Sequence, residues 1–246
     1  MIKKFFTSLT LALFLSVQLL YAACDSNTVL MLHFDGADGS QTAIDSSISA
    51  HTMTASDNAQ LDTSQKKFGS ASAYFDGTQD KFSSVDSADW DYGTGDFTIE
   101  GWIRWESSVG NDDFFDRNQG TDYALWHYAP LGGMLWQSGG ANTMARSWSP
   151  SADTWYHFAI VRASSVLKMF VDGTQIGTDA ANATDLTYSA AINIGSDAAG
   201  NNGLAGWLDE VRVSKGIARY TANFTPQTAE FCGATAGTSN FFQVMD

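Results

Sequence analysis

Carboxylates are the most abundant reactive groups in the chain, with 27 Asp and Glu against 13 Lys and Arg. Only Glu100, Glu106, Glu210 and Glu230 are glutamates. Hydrolysis of a glycosidic bond needs two carboxyl groups flanking it, roughly 5 to 10 Å apart. Asp209 and Glu210 are adjacent in sequence, so on a strand they point to opposite faces and cannot cooperate. His33, His51, His127 and His157 have no metal-ligand spacing, and no serine sits in a nucleophile elbow. Gly-rich GNNG (200–203) and GTGD (93–96) lack the strand-then-helix context of a phosphate loop and read as turns. FDGADG (34–39) and IDSS (44–47) bring Asp35, Asp38 and Asp45 close together. Hard oxygen donors at that density suit calcium; the same residues also end turns, and both readings stand open.

The elements that must position these groups belong to an exported chain. Residues 1–23, MIKKFFTSLTLALFLSVQLLYAA, begin with two lysines, continue through an uncharged apolar run and end in small residues. That is the pattern of a cleaved secretory signal peptide, and the protein is expected to be secreted or at the cell surface. No later segment is long and apolar enough to span a bilayer as a helix. With Lys3 and Lys4 removed, 13 basic residues fall to 11 against 27 acidic ones, a net charge of −16. Such a field repels nucleic acid and anionic lipid, which excludes both as partners.

Helical periodicity is nearly absent. Runs of Val, Ile, Phe, Tyr and Trp, bounded by Gly, Asp, Asn and Ser, predict strands near 29–34, 72–76, 96–105, 123–128, 133–137, 143–148, 155–162, 166–171, 174–177, 191–195 and 205–213. In FTIEGWIRW (97–105), Phe97, Ile99, Ile103 and Trp105 share one face, while Thr98, Glu100, Trp102 and Arg104 share the other, which is expected to be at least partly wet. The stretch WYHFAIVRASSVLKMFVDGTQIG (155–177) predicts a three-strand meander closed by a type I′ turn at Asp172-Gly173. Both faces of its first strand are apolar, so that strand should lie centrally in a sheet and be covered on both sides.

LMLHFDGADGS, KFGSASAYFDGTQDKFSSVDSADWDYGTGDFTIEGWIRW, TWYHFAIVR, LKMFVDGTQIG and INIGSDAAGNNGLAGWLDEVRVSKGIARYTANFTP, in that order, cover roughly residues 29–229. Together they resemble the laminin-G-like, concanavalin A-like jelly-roll domains. The resemblance implies an all-β, two-sheet antiparallel sandwich over 24–232, followed by a tail at 233–246, with the first and last strands neighbouring. Hydrolases of that superfamily carry a Glu-x-Asp-x-x-Glu strand, and no segment here reproduces it. The resemblance therefore implies a non-catalytic module that recognises an extracellular glycan or glycoprotein. The alternative is a structural or adhesive surface component that makes protein contacts without binding sugar.

Jelly-roll topology would bring Asp209 near the N-terminal strand, adding it to Asp35, Asp38 and Asp45 as a ligand of a structural calcium. Aromatic side chains on a wet face stack against sugar rings. Periodicity selects Trp102, and the family's concave face would hold Trp126, Tyr128, Trp136 and Trp148. The two cysteines, Cys24 and Cys232, bracket the domain, and the topology implies a disulfide between them. LYAAC (20–24) also resembles a lipobox, in which Cys24 would carry a lipid anchor instead.

Overall fold

The computed structural model describes residues 24–107 and 109–232. The expected leader, 1–23, and the tail, 233–246, lie outside the described residues. Branched and aromatic side chains pack well on a pleated surface, and they yield strands β1 (Thr28–Leu32), β2 (Thr54–Ser56), β3 (Gln60–Asp62), β4 (Ser72–Asp76), β5 (Lys81–Ser84), β6 (Phe97–Trp105), β7 (Asp112–Arg117) and β8 (Tyr123–Tyr128). There follow β9 (Gly133–Ser138), β10 (Ala141–Ser147), β11 (Tyr156–Ala163), β12 (Val166–Val171), β13 (Thr174–Gln175), β14 (Ala180–Ala181), β15 (Ile192–Ile194) and β16 (Ala205–Lys215). A 3-10 turn at Ala88–Trp90 is the helical element among the described residues. None of their helices is long and apolar enough to cross a membrane.

Two antiparallel sheets form. The first runs β13-β12-β11-β6-β16-β4-β3, with β14 on β12 and β1 on β16. The first and last strands are thus neighbours, as the resemblance implies. The second sheet runs β10-β9-β8-β7-β15-β5-β2. Between them lies one large core, with Phe97, Trp105, Phe114, Phe158 and Trp136 among its fully buried rings.

The 155–177 stretch forms the expected meander. Asp172 and Gly173 have φ of 47° and 73°, the double left-handed geometry of a type I′ turn. A Cβ at Gly173 would run into the Phe224 carbonyl oxygen, so the turn also needs glycine for space. β11 lies between β12 and β6. Phe158 and Ile160 enter the main core. Ala159, Val161 and Phe170 pack instead under Ala218, Tyr220 and Phe224.

That second packing corrects one expectation. Most of the outer face of β6 is dry: Thr98 and Glu100 are fully buried and Trp102 nearly so, leaving Arg104 partly exposed. A strap of irregular chain, residues 217–232, crosses it. Tyr220 and Phe224 stack at 3.5 Å between ring centroids, and the Phe224 amide donates to the Gly173 carbonyl at 2.9 Å. The strap lacks a strand's alternation, so periodicity does not reveal that it covers a sheet. It ends in a disulfide between Cys24 and Cys232, with Cα atoms 5.0 Å apart. That bond uses the thiol the lipid-anchor reading would acylate.

The strands missed by the sequence reading, β2, β3, β5, β7 and β14, are short or polar. β7 is DDFFDR, whose two adjacent phenylalanines break period-2 alternation.

Candidate functional site

Along β6 the side chains of Glu100 and Trp102 point away from the sandwich core, toward the strap. Where the strap thins out, a cavity of about 420 Å³ opens, lined by Lys67, Phe68, Trp102, Trp155, Asp172, Pro226, Gln227 and Thr228. Trp102 lines its inner wall and is only 6% exposed. Phe68 and His157 meet the indole edge-on, with centroids at 5.8 and 5.3 Å. The Lys67 ammonium stands 3.9 Å from the ring centroid, a cation–π distance.

Carboxylates set this arrangement. Asp209, paired opposite Trp102 on β16, accepts from the Lys67 and Phe68 amides at 2.7 and 3.1 Å, which fixes that loop over the indole. Burial, which outweighs these two amide bonds, pushes the Asp209 carboxyl well above the usual range. Asp172 accepts from the His157 amide at 2.9 Å and so ties the type I′ turn to β11.

Three polar atoms of the lining are buried without a hydrogen-bond partner among the described residues: the Trp102 indole Nε1 and both side-chain amide atoms of Gln227. Buried polar groups are normally paired. These atoms have no accessible surface, so the contact the cavity itself offers is apolar, from its aromatic walls, with Lys67 and Asp172 as the charged groups of the lining.

Deeper under the strap lies a charged cluster. Glu100 receives Arg212 Nε and Nη2 on Oε1 at 2.9 and 2.7 Å and the Tyr220 hydroxyl on Oε2 at 2.7 Å. His157 Nε2 stands 3.3 Å from the same Oε2, close enough for an ion pair but not aligned as a hydrogen bond. Burial works against the charge of Glu100. The Arg212 guanidinium, with His157 and Tyr220, overcomes it and holds the carboxyl at about 2.

The other aromatics expected to meet a ligand are placed differently. Trp136 is fully buried, with its ring 5.3 Å from Phe97 and 5.4 Å from Tyr123, so it is core and offers no face to a sugar. The reason is register: on β9, Met134 and Trp136 point into the sandwich, whereas Leu135 points out. Trp148 closes one end of the core edge-on to Trp105 and Tyr156, both at 5.4 Å. Trp126 and Tyr128 do lie on the outer face of the second sheet, in a small cluster with Ala124, Leu135 and Ala145. Only Trp102 lines the cavity. Lys67, Phe68, Trp155, Asp172 and Gln227 were not singled out from sequence as site residues, and nothing in Gln227's surroundings marks it.

The acids expected to hold calcium do not converge. Asp45 accepts from the Met31, Ser47 and His51 amides at 2.9, 2.9 and 2.7 Å. Asp38 takes the Thr63 amide, Asp35 the Ser70 amide, and Asp209 the pair described above. Asp35, Asp38 and Asp209 each take different backbone amides of the one 63–71 loop between β3 and β4, and Asp45 takes those of Met31, Ser47 and His51. Among the described residues no three His, Cys, Asp or Glu are grouped to hold a metal ion.

The family model of the concanavalin A-like lectin/glucanases superfamily matches residues 76–219. No curated protein matches. Among solved structures, the binding domain of Paraclostridial Mosquitocidal Protein 1 is similar at 15% identity and a TM-score of 0.60, covering 78% of this chain and 49% of that one. Domain 4 of AbnA, an extracellular GH43 arabinanase from Geobacillus stearothermophilus solved with arabinotriose, is similar at 17% identity and a TM-score of 0.60, covering 78% of this chain and 94% of that one. The botulinum neurotoxin serotype D binding domain follows at 13% identity and a TM-score of 0.58. The chain spans about half the length of the toxin binding domains it matches. At these identities the likeness is one of fold.

Proposed function

The chain belongs to the concanavalin A-like lectin/glucanases superfamily, and from that premise we propose that it is an exported, non-catalytic module that receives an extracellular carbohydrate in the cavity at Trp102. The carrying observation is the cavity itself. About 420 Å³ walled by Trp102, Phe68 and Trp155 falls within the size range of small-ligand sites, roughly 300 to 1,000 Å³. Lys67 and Asp172 of the lining supply charged groups for hydroxyls. The Lys67 ammonium stands over the indole; a sugar ring entering the cavity moves it aside onto a ring or exocyclic oxygen. The complex of AbnA domain 4 with arabinotriose supports the same ligand class on this fold. The leader-like segment and the disulfide support export.

A glycan array tests this reading. Reproducible hits are expected, weakened at least tenfold by Trp102→Ala and by Gln227→Ala, and unchanged by Trp148→Phe. Hits that survive Trp102→Ala move the site elsewhere. Silence across the array favours the alternative, a surface component making protein contacts, for which Ile44, Ile48 and Val85, exposed at 66%, 78% and 76%, offer apolar surface.

A further inference from the structure

The cavity at Trp102 holds two charged side chains, Lys67 and Asp172, and they form no ion pair with each other. Asp172 turns to the His157 amide at 2.9 Å. Lys67 lies in the loop between β3 and β4. Its amide and that of Phe68 sit on the Asp209 carboxylate at 2.7 and 3.1 Å, so the backbone that carries the side chain is held against the sheet. The side chain is half-buried. Its ammonium stands 3.9 Å from the Trp102 ring centroid and 5.6 Å from that of Phe68.

What this ammonium lacks is an oxygen. Lysine carries three donors and a full charge. Among the described residues, Lys66, Lys81 and Lys215 donate to backbone carbonyls and Lys168 to the Asp179 carboxylate. Every arginine there likewise reaches a carboxylate or carbonyl oxygen. Lys67 is the one basic side chain among them whose cation meets only ring faces. The chain has 27 acidic residues against 13 basic ones, so oxygen partners are in surplus and their shortage does not explain it. A ring face is a weaker partner than a charge-assisted hydrogen bond. A lysine that merely shields an indole lays its methylene stem on the ring and sends its head to water; here the head stands on the ring. Unlike Trp102 Nε1, Lys67 Nζ keeps accessible surface.

We infer that Lys67 sets the specificity of the cavity and that the ligand is an acidic sugar, whose exocyclic carboxylate or sulfate takes the ammonium while its ring packs on the aromatic walls. The inference rests on the carbohydrate reading of the cavity and names the class of sugar. An ammonium on a flexible stem pairs with an anion as a compact point charge. Turning it from the ring to the ligand exchanges a cation–π contact for an ion pair and frees the indole face for the sugar. A neutral sugar offers the ammonium only hydroxyls, and an amino sugar brings a second cation against it. The chain's net negative charge opposes a densely charged polymer, but at physiological salt that field is screened beyond about 8 Å. A sugar with at most one anionic group per ring meets Lys67 inside that distance.

A glycan array with uronic-acid, sialic-acid and sulfated oligosaccharides beside neutral and amino-sugar chains reads the class, and the anion that heads the hits separates carboxylate from sulfate. Titration calorimetry of the full-length protein with the strongest hit and with its methyl-esterified or desulfated form then reads the charge. The strongest hits are expected to be acidic and to depend on Trp102. Neutralising the ligand should cost the wild type at least tenfold in affinity, a comparison that needs no variant to fold. Lys67→Gln should lose as much, with most of it recovered in Lys67→Arg. Strongest hits that are neutral or amino sugars and are lost in Trp102→Ala overturn the acidic class and leave the carbohydrate module standing. Acidic hits that bind equally well after esterification or desulfation, or in Lys67→Gln, overturn it too. Silence across the array overturns the carbohydrate reading and this inference with it.

Discussion

Replacing Cys24 and Cys232 together by Ser should lower the melting temperature by roughly 5 to 15 °C. The bond closes a loop with a sequence separation of 208, so nearly the whole folded domain is the loop. The chain-entropy model gives about 5 kcal/mol for a loop of that length, and native disulfides typically deliver roughly 2 to 5 kcal/mol. For a domain of this size each kcal/mol moves the midpoint by about 2 to 4 °C. Part of the loss should be local. β1 stays anchored by its pairing with β16, but the strap has only side-chain packing and scattered hydrogen bonds to hold its final residues, among them Phe231 on the Arg212 guanidinium at 3.8 Å. Without the bond the strap should open before the sandwich melts. Limited proteolysis of the double variant under native conditions should then cut within residues 225–232, and because Pro226, Gln227 and Thr228 line the cavity, carbohydrate affinity should fall with it. A double variant that melts with the wild type and resists the protease would show that the strap's own packing suffices.

How far the sequence foretold this architecture can be judged from particular residues. The sandwich, the meander and the Asp172-Gly173 turn are legible because alternation and turn chemistry are local properties, written within a few residues. The disulfide followed from the topology that the family resemblance implies, not from spacing. Trp102 and Trp136 separate the legible from the illegible. Both lie in apolar strands, but which face of each strand meets the core depends on register across the whole sheet, and that information is non-local. Trp136 falls inward and Trp102 outward, beneath a strap whose sequence shows no strand pattern. β7 was missed for a related reason: Asp113 and Asp116 share a face only because a bulge inserts an extra residue, and in DDFFDR that bulge looks like a loss of alternation. The acids chosen for calcium, Asp35, Asp38, Asp45 and Asp209, were selected for proximity in sequence or expected topology; Asp35, Asp38 and Asp209 turned out to bind separate backbone amides of the 63–71 loop, and Asp45 those of Met31, Ser47 and His51.

Glu100→Gln should destabilise the protein by about 3 to 5 kcal/mol, the usual cost of breaking a buried ion pair from one side. The carboxylate is fully buried, and its loss leaves the Arg212 guanidinium, itself only 9% exposed, without a counter-charge beneath the strap. A glutamine of the same shape can still accept one hydrogen bond, yet it cannot balance the charge. Replacing both partners, Glu100→Leu with Arg212→Leu, should therefore recover much of the loss, since the cluster's Coulomb gain is largely consumed by desolvation. The sign of the pH dependence follows from the same geometry. The folded-state carboxyl is held at about 2, below its ordinary value of 4.5, so its contribution is fully present above about pH 4.5 and is lost as the pH falls toward 2. Urea titrations between pH 2 and 6 check this. The stability difference between wild type and Glu100→Gln should be constant above about pH 5 and shrink steadily below it. Equal losses at pH 6 and pH 2.5 would mean that the glutamine acts through packing alone, and that the charge of Glu100 does not hold the strap in place.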